Sequence, residues 1–414
     1  MEKIFIKHQK NVSGTIALPS SKSESNRALI INALAGSHGN VQNLSSARDT
    51  RTMVKLLSTD QQIADVIDAG TTMRFLTAYF SVMGKYKIMT GVPRMKQRPI
   101  RILVDALREI GARIDYLEAE GYPPVELHGI KEQARDSITM KGDISSQYIS
   151  AMMMIAPLLP QGLKIQLSGK ISSRPYIEMT RKLMLIFGAD ITWKDEKTIV
   201  IKARPYQTAS YKVESDWSGA SYWYSMAALA GEASIFLKDV KSESFQGDSE
   251  VKDIFEWIGI TTSFTSSGAQ LAKKSSESCD TLDFYDCPDL AQTVLVTLAG
   301  LKRNIKITGL ESLKIKETDR VSALQNELAK LNVQLVEHDP HNWELLSTGF
   351  RMPEAAITID TYDDHRMAMA FAPLALLGDV IIENPSVVQK SYPEFWDHLK
   401  GVGFVINQGY NQKK

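Results

Sequence analysis

The sequence predicts an α/β fold assembled from six related units of roughly 70 residues each. Three observations predict it. An amphipathic helix that ends in Gly or Asn and runs into a strand recurs five times. A loop rich in small and charged residues followed by an apolar helix recurs six times. The two patterns alternate, so the chain reads strand-helix-strand-helix along its length.

The first pattern has its helix stops at Gly111, Gly188, Gly259, Asn332 and Gly403, separated by 77, 71, 73 and 71 residues. Gly and Asn tolerate the left-handed conformation that closes a helix. The preceding segments, such as Leu103–Leu107 and Ile254–Ile258, carry one polar face and are expected on the outside of their domains. The second pattern covers Ser23–Ala35, Asp68–Val82, Ser145–Leu159, Ser218–Ala230, Asp289–Ala299 and His365–Leu377. These helices are apolar on most faces and are expected in the interior. The first unit is abbreviated, because too few residues separate Leu57 from the loop at Asp68 to hold a full unit. Domain crossings are expected near Pro19-Ser20 and Val213–Ser215, and the polar tail Asn407–Lys414 is expected to fray. How the six units group into domains does not follow from spacing.

Size and composition narrow the function. The chain has 414 residues, 43% apolar and 23% charged, in the range of soluble globular proteins with two or three domains. Lys+Arg and Asp+Glu both number 48, so a nucleic-acid binder held by bulk charge is excluded and any anion binding is local. The start Met1–Lys10 is charged and has no signal-peptide core, and the apolar run near Met152–Leu159 is too short for a bilayer. No membrane association is expected. Cys279 and Cys287 have no zinc or disulfide spacing, and a reducing, cytoplasmic setting is expected.

Cations stand at the starts of several helices, where the dipole favours anions. Lys22 and Arg27 open the first apolar helix, and Gly70-Thr71 the second. Arg94, Lys96 and Arg98 precede Pro99, which is suited to a first helical position. Ser172-Ser173-Arg174-Pro175-Tyr176 and Lys390-Ser391-Tyr392-Pro393 repeat the arrangement, Ser145-Ser146-Gln147 supplies neutral donors, and Asp364-His365-Arg366 an acid, an imidazole and a cation. Lys314–Arg320 is the densest cluster, with Lys316, Glu317 and Arg320 expected on one face of a loop and first helical turn. Each loop alone fits a solvated surface; the recurrence points to a shared anionic ligand. No dinucleotide fingerprint, P-loop, nucleophile elbow or transition-metal cluster is present, and Cys287 reads as a small buried residue. Acid–base chemistry by lysine and carboxylates on phosphate- and carboxylate-bearing substrates remains.

These stretches resemble the EPSP (5-enolpyruvylshikimate-3-phosphate) synthases over essentially the whole chain. The similarity is carried by Leu18–Ser23 with Asn26–Leu29, Ala69–Thr71 with Met73-Arg74, Pro93–Lys96 with Arg98–Ile100, Ser145–Gln147 and Pro175–Ile177. It continues through Glu214 with Asp216, Gln246–Asp248, Pro288-Asp289, Lys316–Arg320 and Asp364–Ala368. The resemblance implies two similar domains, each of three βαβαββ-type units with helices inside and sheets outside. One domain would be 21–214, the other 1–20 plus 215–414, with the active site in the cleft. It implies transfer of the enolpyruvyl group of phosphoenolpyruvate to the 5-hydroxyl of shikimate 3-phosphate by addition and elimination, without metal or cofactor, in a monomer. Ser23, Arg27, Ser145, Ser146, Ser173, Tyr176 and Lys316 would hold shikimate 3-phosphate. Lys22, Gly70, Arg98, Gln147, Arg320, Arg366 and Lys390 would hold phosphoenolpyruvate, with Lys22 and Gln147 near both. Asp289 would be the base toward the hydroxyl, and Glu317 and Lys22 the candidates for proton transfer at the methylene carbon.

The sequence departs from the family pattern at Asp68, where Asn is usual, at Phe75 for Pro, at Ser312 for Asn, and at Trp217-Ser218-Gly219. An acid beside an anion site is expected to turn away or to be protonated. Two rivals are an enolpyruvyl transferase acting on UDP-N-acetylglucosamine, which usually carries a cysteine in the loop that here reads Arg94–Arg98, and a non-enzymatic anion-binding repeat protein, which would need the cations but neither Asp289 nor Glu317.

Overall fold

The computed structural model describes residues 2–409. The chain divides into two compact units, one of Ser20–Val213 and the other of the residues through Pro19 together with those from Glu214 onward.

Residues 137–201 show the repeat in full. Strand Ser137–Lys141, helix Ser146–Ile155, strand Leu163–Ser168 and helix Arg174–Ile186 lead into a hairpin of Ile191–Asp195 and Thr198–Ile201. The first two strands are parallel, Ser137 opposite Lys164. The second hairpin strand adds antiparallel to Leu163–Ser168, with Thr198 opposite Gln166, and the first hairpin strand lies outermost. The same order recurs in the sheets that start at Ile63–Asp65 and Thr281–Asp283. The sheet starting at Ile357–Ile359 takes Lys3–Ile6 as its inner hairpin strand, between Val380–Glu383 and Ile406–Gln408. Asn407 and Gln408, expected to fray, are therefore strand residues, held by pairing to the N-terminal strand; residues 410–414 of the expected tail lie outside those described.

Two strands pair in a different unit from the helix that follows each in the chain. Val12–Ala17 precedes helix Lys22–Leu34 in the chain, yet it lies parallel to Ala233–Lys238 in the other unit. Ser210–Lys212 precedes helix Trp217–Leu229, yet it pairs with Asn40–Gln42. This last sheet has two strands where the other five have four. It lacks the hairpin, which is the abbreviation expected from the short Leu57–Asp68 spacing.

The helix stops behave as local chemistry requires. Gly111, Gly188, Gly259, Asn332 and Gly403 all have positive φ, from 58° at Asn332 to 117° at Gly259. At Gly111 a Cβ would also fall 2.3 Å from the Glu132 carbonyl oxygen, so glycine is required there twice over.

Burial separates inner from outer helices. Twelve of the 13 residues of Trp217–Leu229 and nine of the 10 of Ala291–Gly300 are buried, against four of the nine in Arg101–Glu109. Small hydroxyl residues let the inner helices approach: Thr297 Oγ1 donates to Ser225 Oγ at 2.7 Å, and Ser221 Oγ to Thr293 Oγ1 at 3.3 Å. Each fully buried Leu, Met or Phe of this layer contributes about 1.5–3 kcal/mol. In each unit, then, helices form the interior and sheets the wall. Pro99 does not open a helix. The short helix Pro93–Lys96 ends before it, and Arg101–Glu109 begins after Ile100, because the Tyr148 hydroxyl captures the Pro99 carbonyl at 2.5 Å.

Candidate active site

In the unit containing Glu214–Lys414, six of the residues singled out from sequence join one network around Arg320. Helix Arg320–Ala329 starts at Arg320 itself; Asp319 caps it by accepting from the Ser322 N–H at 3.1 Å. Lys316 and Glu317 thus lie in the loop before the helix, not in its first turn. Arg320 is 2% exposed. Its Nε donates to Asp364 Oδ2 at 2.7 Å, its Nη1 to Asp289 Oδ1 at 3.0 Å, and its Nη2 to Glu317 Oε2 at 2.9 Å. Arg366 Nη2 takes the other Asp289 oxygen at 2.8 Å, and its Nη1 donates to the Asp289 carbonyl at 3.1 Å. Lys316 Nζ stands 3.7 Å from Asp289 Oδ1, and Lys390 Nζ 3.4 Å from Glu317 Oε1.

Four cations thus face three carboxylates, a residual single positive charge in a buried setting. Lys316 and Arg320 were expected beside an external anion; carboxylates of the chain already occupy Arg320. Burial works against the Asp289 carboxylate, but Arg366, Lys316 and Arg320 outweigh it and hold its pKa well below the usual range. Burial also lowers the Lys316 pKa, opposed by Asp289. Arg320 is pushed the other way: burial would lower its pKa, and Asp364, Glu317 and Asp289 raise it.

In the unit Ser20–Val213 the candidates form three linked groups. Gly70 begins helix Gly70–Val82 beneath two guanidiniums: a Cβ there would lie 2.7 and 2.8 Å from the Arg98 Nη atoms and 2.6 Å from Arg74 Nη1. Gln147 Nε2 donates to Thr71 Oγ1 at 2.9 Å, bringing the start of helix Ser146–Ile155 to the same place, and Ser145 caps that helix. Lys22 Nζ pairs with Asp49 Oδ2 at 3.2 Å, and the Asp49 carbonyl accepts from Thr72 Oγ1 at 3.2 Å. Arg27 is buried between the rings of Phe75 and Tyr176, 5.3 and 5.7 Å from their centroids. Its Nε donates to Thr180 Oγ1 at 2.7 Å and its Nη1 to the Ser23 carbonyl at 2.9 Å. Burial lowers its pKa to about 10, against the raising effect of Tyr176 and Glu24. Ser173 precedes helix Arg174–Ile186 in the left-handed conformation, φ 53°, and is buried, as is Ser146.

The departures have partners. Asp68 turns to Arg48, whose Nη2 donates to both its oxygens at 2.8 and 2.9 Å. Phe75 forms one face of the Arg27 sandwich. The Trp217 N–H donates to Gln246 Oε1 at 3.0 Å. Ser312 lies in the turn Glu311–Ile315, and nothing in the structure explains the substitution. Sequence reasoning left Asp364, Asp49 and Arg74 out of the site. Asp364 is fully buried, grips Arg320, and caps the helix that carries Arg366 by accepting from its N–H at 2.8 Å. Its place just before an apolar helix signals a cap, but nothing in the sequence pairs it with a residue 44 positions away.

Residues 6–60 and 58–399 match the profile of the EPSP synthase (3-phosphoshikimate 1-carboxyvinyltransferase) family. A 3-phosphoshikimate 1-carboxyvinyltransferase of Bacteroides fragilis is 48% identical over 402 residues, covering 96% of this chain and 97% of the relative. That of Aliivibrio salmonicida is 35% identical over 430 residues, with 97% and 99% covered. An EPSP synthase structure from Acinetobacter baumannii superposes with a TM-score of 0.78 at 19% identity, over 99% of this chain and all of that one, a likeness of fold.

Proposed function

Because the chain belongs to the EPSP synthase family, we propose that it transfers the 1-carboxyvinyl group of phosphoenolpyruvate to the 5-hydroxyl of shikimate 3-phosphate and releases phosphate. The observation that carries this reading is the buried network in which Arg320 and Arg366 share the Asp289 carboxylate while Glu317 bridges Arg320 and Lys390. A pure anion-binding protein needs the cations and has no use for Asp289 and Glu317 among them.

The residues divide the work as follows. Phosphoenolpyruvate, with a phosphate and a carboxylate, is held by Lys22, Gly70, Arg98, Gln147, Arg320, Arg366 and Lys390. Shikimate 3-phosphate is held by Ser23, Arg27, Ser145, Ser146, Ser173, Tyr176 and Lys316. Planar guanidinium forks suit such groups because they bind two oxygens at once. The hydroxyl oxygen attacks C2 of phosphoenolpyruvate as its proton passes to Asp289, and C3 takes a proton from Glu317 or Lys22. The tetrahedral adduct then loses phosphate, which leaves with the proton held by Asp289, as C3 gives a proton back to the group that supplied it. No covalent enzyme intermediate is needed.

Asp289 is a weak base in this network, since Arg366, Lys316 and Arg320 all stabilise its anion. An incoming phosphate or carboxylate that takes Arg320 and Arg366 for itself withdraws that stabilisation, so substrate binding raises the basicity of Asp289 at the moment it is required. The monomeric state and a cytoplasmic location belong to the same proposal; among the described residues no helix is long and apolar enough to cross a membrane.

The test is phosphate release from phosphoenolpyruvate with two acceptors. Release is expected with shikimate 3-phosphate and not with UDP-N-acetylglucosamine. A folded chain that releases none with the shikimate ester overturns the proposal.

A further inference from the structure

Asp68 stands two residues before the start of helix Gly70–Val82. An aspartate at such a place ordinarily turns its carboxylate onto the first N–H groups of the helix. This helix has no side-chain cap. Its N–H groups, and the Arg74 and Arg98 guanidiniums that meet over Gly70, are the place given above to the phosphoenolpyruvate anion. Two residues of chain span at most about 7 Å, so the Asp68 carboxylate could reach that place itself. The other unit shows such an occupation: Asp289, Glu317 and Asp364 all bind Arg320.

Arg48 takes Asp68 elsewhere. Its Nη2 donates to both carboxylate oxygens, at 2.9 and 2.8 Å. The two side chains are 39% and 26% exposed, and a pair so placed contributes little to stability. Arg48 is itself well anchored. It opens helix Arg48–Leu57, its carbonyl accepts from Thr52 Oγ1 at 2.9 Å, and its Nε is closed off from solvent. The next residue, Asp49, is 2% exposed, pairs with Lys22, and accepts from Thr72 Oγ1 through its carbonyl. The start of helix Arg48–Leu57 is thereby tied to the first turn of helix Gly70–Val82. Its first two side chains each take one charge at the border of the phosphoenolpyruvate residues: Arg48 an acid and Asp49 a lysine.

We propose that Arg48 is a positioning residue for phosphoenolpyruvate. It holds the Asp68 carboxylate off the helix start at Gly70 and off Arg98, and so keeps that place open to the substrate anion. Arg48 acts through Asp68 and does not meet the substrate. The inference rests on the reaction proposed above.

Initial rates of phosphate release, with phosphoenolpyruvate varied at saturating shikimate 3-phosphate, test it in the full chain. Arg48→Gln should raise KM for phosphoenolpyruvate about tenfold, between the bulk-water and near-surface limits for a carboxylate repelling an anion roughly 7 Å away. The kcat should stay within about twofold. Asp68→Asn alone should leave KM within about twofold, and Arg48→Gln combined with Asp68→Asn should restore it, because no acid then remains to be held. A merely structural Arg48 would not be rescued in this way. If Arg48→Gln alone fails to fold, the double variant compared with Asp68→Asn decides the matter. Three results overturn the proposal: an unchanged KM in folded Arg48→Gln, a KM rise that persists in the double variant, or a double variant that does not fold. A parent chain that releases no phosphate overturns the reaction and this assignment with it, whereas an active parent with an unresponsive Arg48→Gln overturns this assignment alone.

Discussion

Replacing Gly70 with Ala should separate binding from stability. The added methyl carbon would lie 2.6–2.8 Å from three guanidinium nitrogens, of Arg74 and Arg98, and ordinary contact begins at 3.4 Å, so those atoms must retreat by about 0.6–0.8 Å. They are the ends of long side chains and can move, and Gly70 has no positive φ to strain. Alanine also favours a helix over glycine by about 1 kcal/mol. Stability should therefore change by less than about 1 kcal/mol. The cost should fall on phosphoenolpyruvate, because Arg98 is displaced from the position in which it is proposed to meet the substrate anion. Losing one charge-assisted hydrogen bond, about 1.5–3 kcal/mol, raises KM for phosphoenolpyruvate roughly 10- to 100-fold. Initial rates of phosphate release, with phosphoenolpyruvate varied at saturating shikimate 3-phosphate, measure this, and urea unfolding measures stability. Gly84→Ala is the control: φ there is +65° with nothing within 4 Å, so strain should lower stability and leave KM alone. A Gly70→Ala enzyme whose KM stays within twofold of the parent refutes the assignment of Arg98.

Three further outcomes follow from the same geometry. Asp364→Asn keeps an oxygen for the Arg366 N–H but removes the charge nearest Arg320 Nε, and with Asp289 and Glu317 still in place it should destabilise by about 2–3 kcal/mol in urea unfolding; a change under about 0.5 kcal/mol shows that Asp364 does not hold Arg320. Glu317→Gln should retain substrate binding by calorimetry and lose most turnover, and unchanged turnover removes Glu317 from the mechanism. His398, half-buried with Nδ1 2.8 Å from the Tyr392 hydroxyl, has its pKa lowered mainly by burial, against Glu394 and Asp397. Its unfolded form binds a proton first as pH falls below about 6.5, so it contributes stability that is present above that pH and lost on acidification. His398→Gln should flatten the dependence of stability on pH between about 7 and 5, and an unaltered slope excludes His398 as its source.

What could be read from sequence was what local chemistry decides. The helix stops at Gly111, Gly188, Gly259, Asn332 and Gly403 follow from the backbone freedom of single residues, and the apolar surround of Trp217–Leu229 from its composition. The pairing of Val12–Ala17 with Ala233–Lys238 follows from no such signal, because parallel pairing with a strand more than 200 residues away leaves no mark on a six-residue pattern. The site divides the same way. Cations at helix starts are visible as misplaced charges, whereas their partners Asp49 and Asp364 are fixed only when separate segments pack. Asp68 shows the reverse case. A charge that looked intrusive beside Gly70 is bound by Arg48.

The two N-terminal strands set a timetable for the growing chain. Unit Ser20–Val213 is contiguous and complete once Val213 has emerged from the ribosome. Strand Val12–Ala17 waits for Ala233–Lys238, and strand Lys3–Ile6 for Val380–Glu383 and Ile406–Gln408. At about 5–20 residues per second the first wait is roughly 10–40 s and the second nearly twice as long. The earliest-made strands thus wait longest for their partners. The wait exposes two short alternating segments whose edges other nascent chains could pair with. A delay in synthesis between residues 214 and 380 should therefore lower the soluble yield more than an equal delay before residue 213.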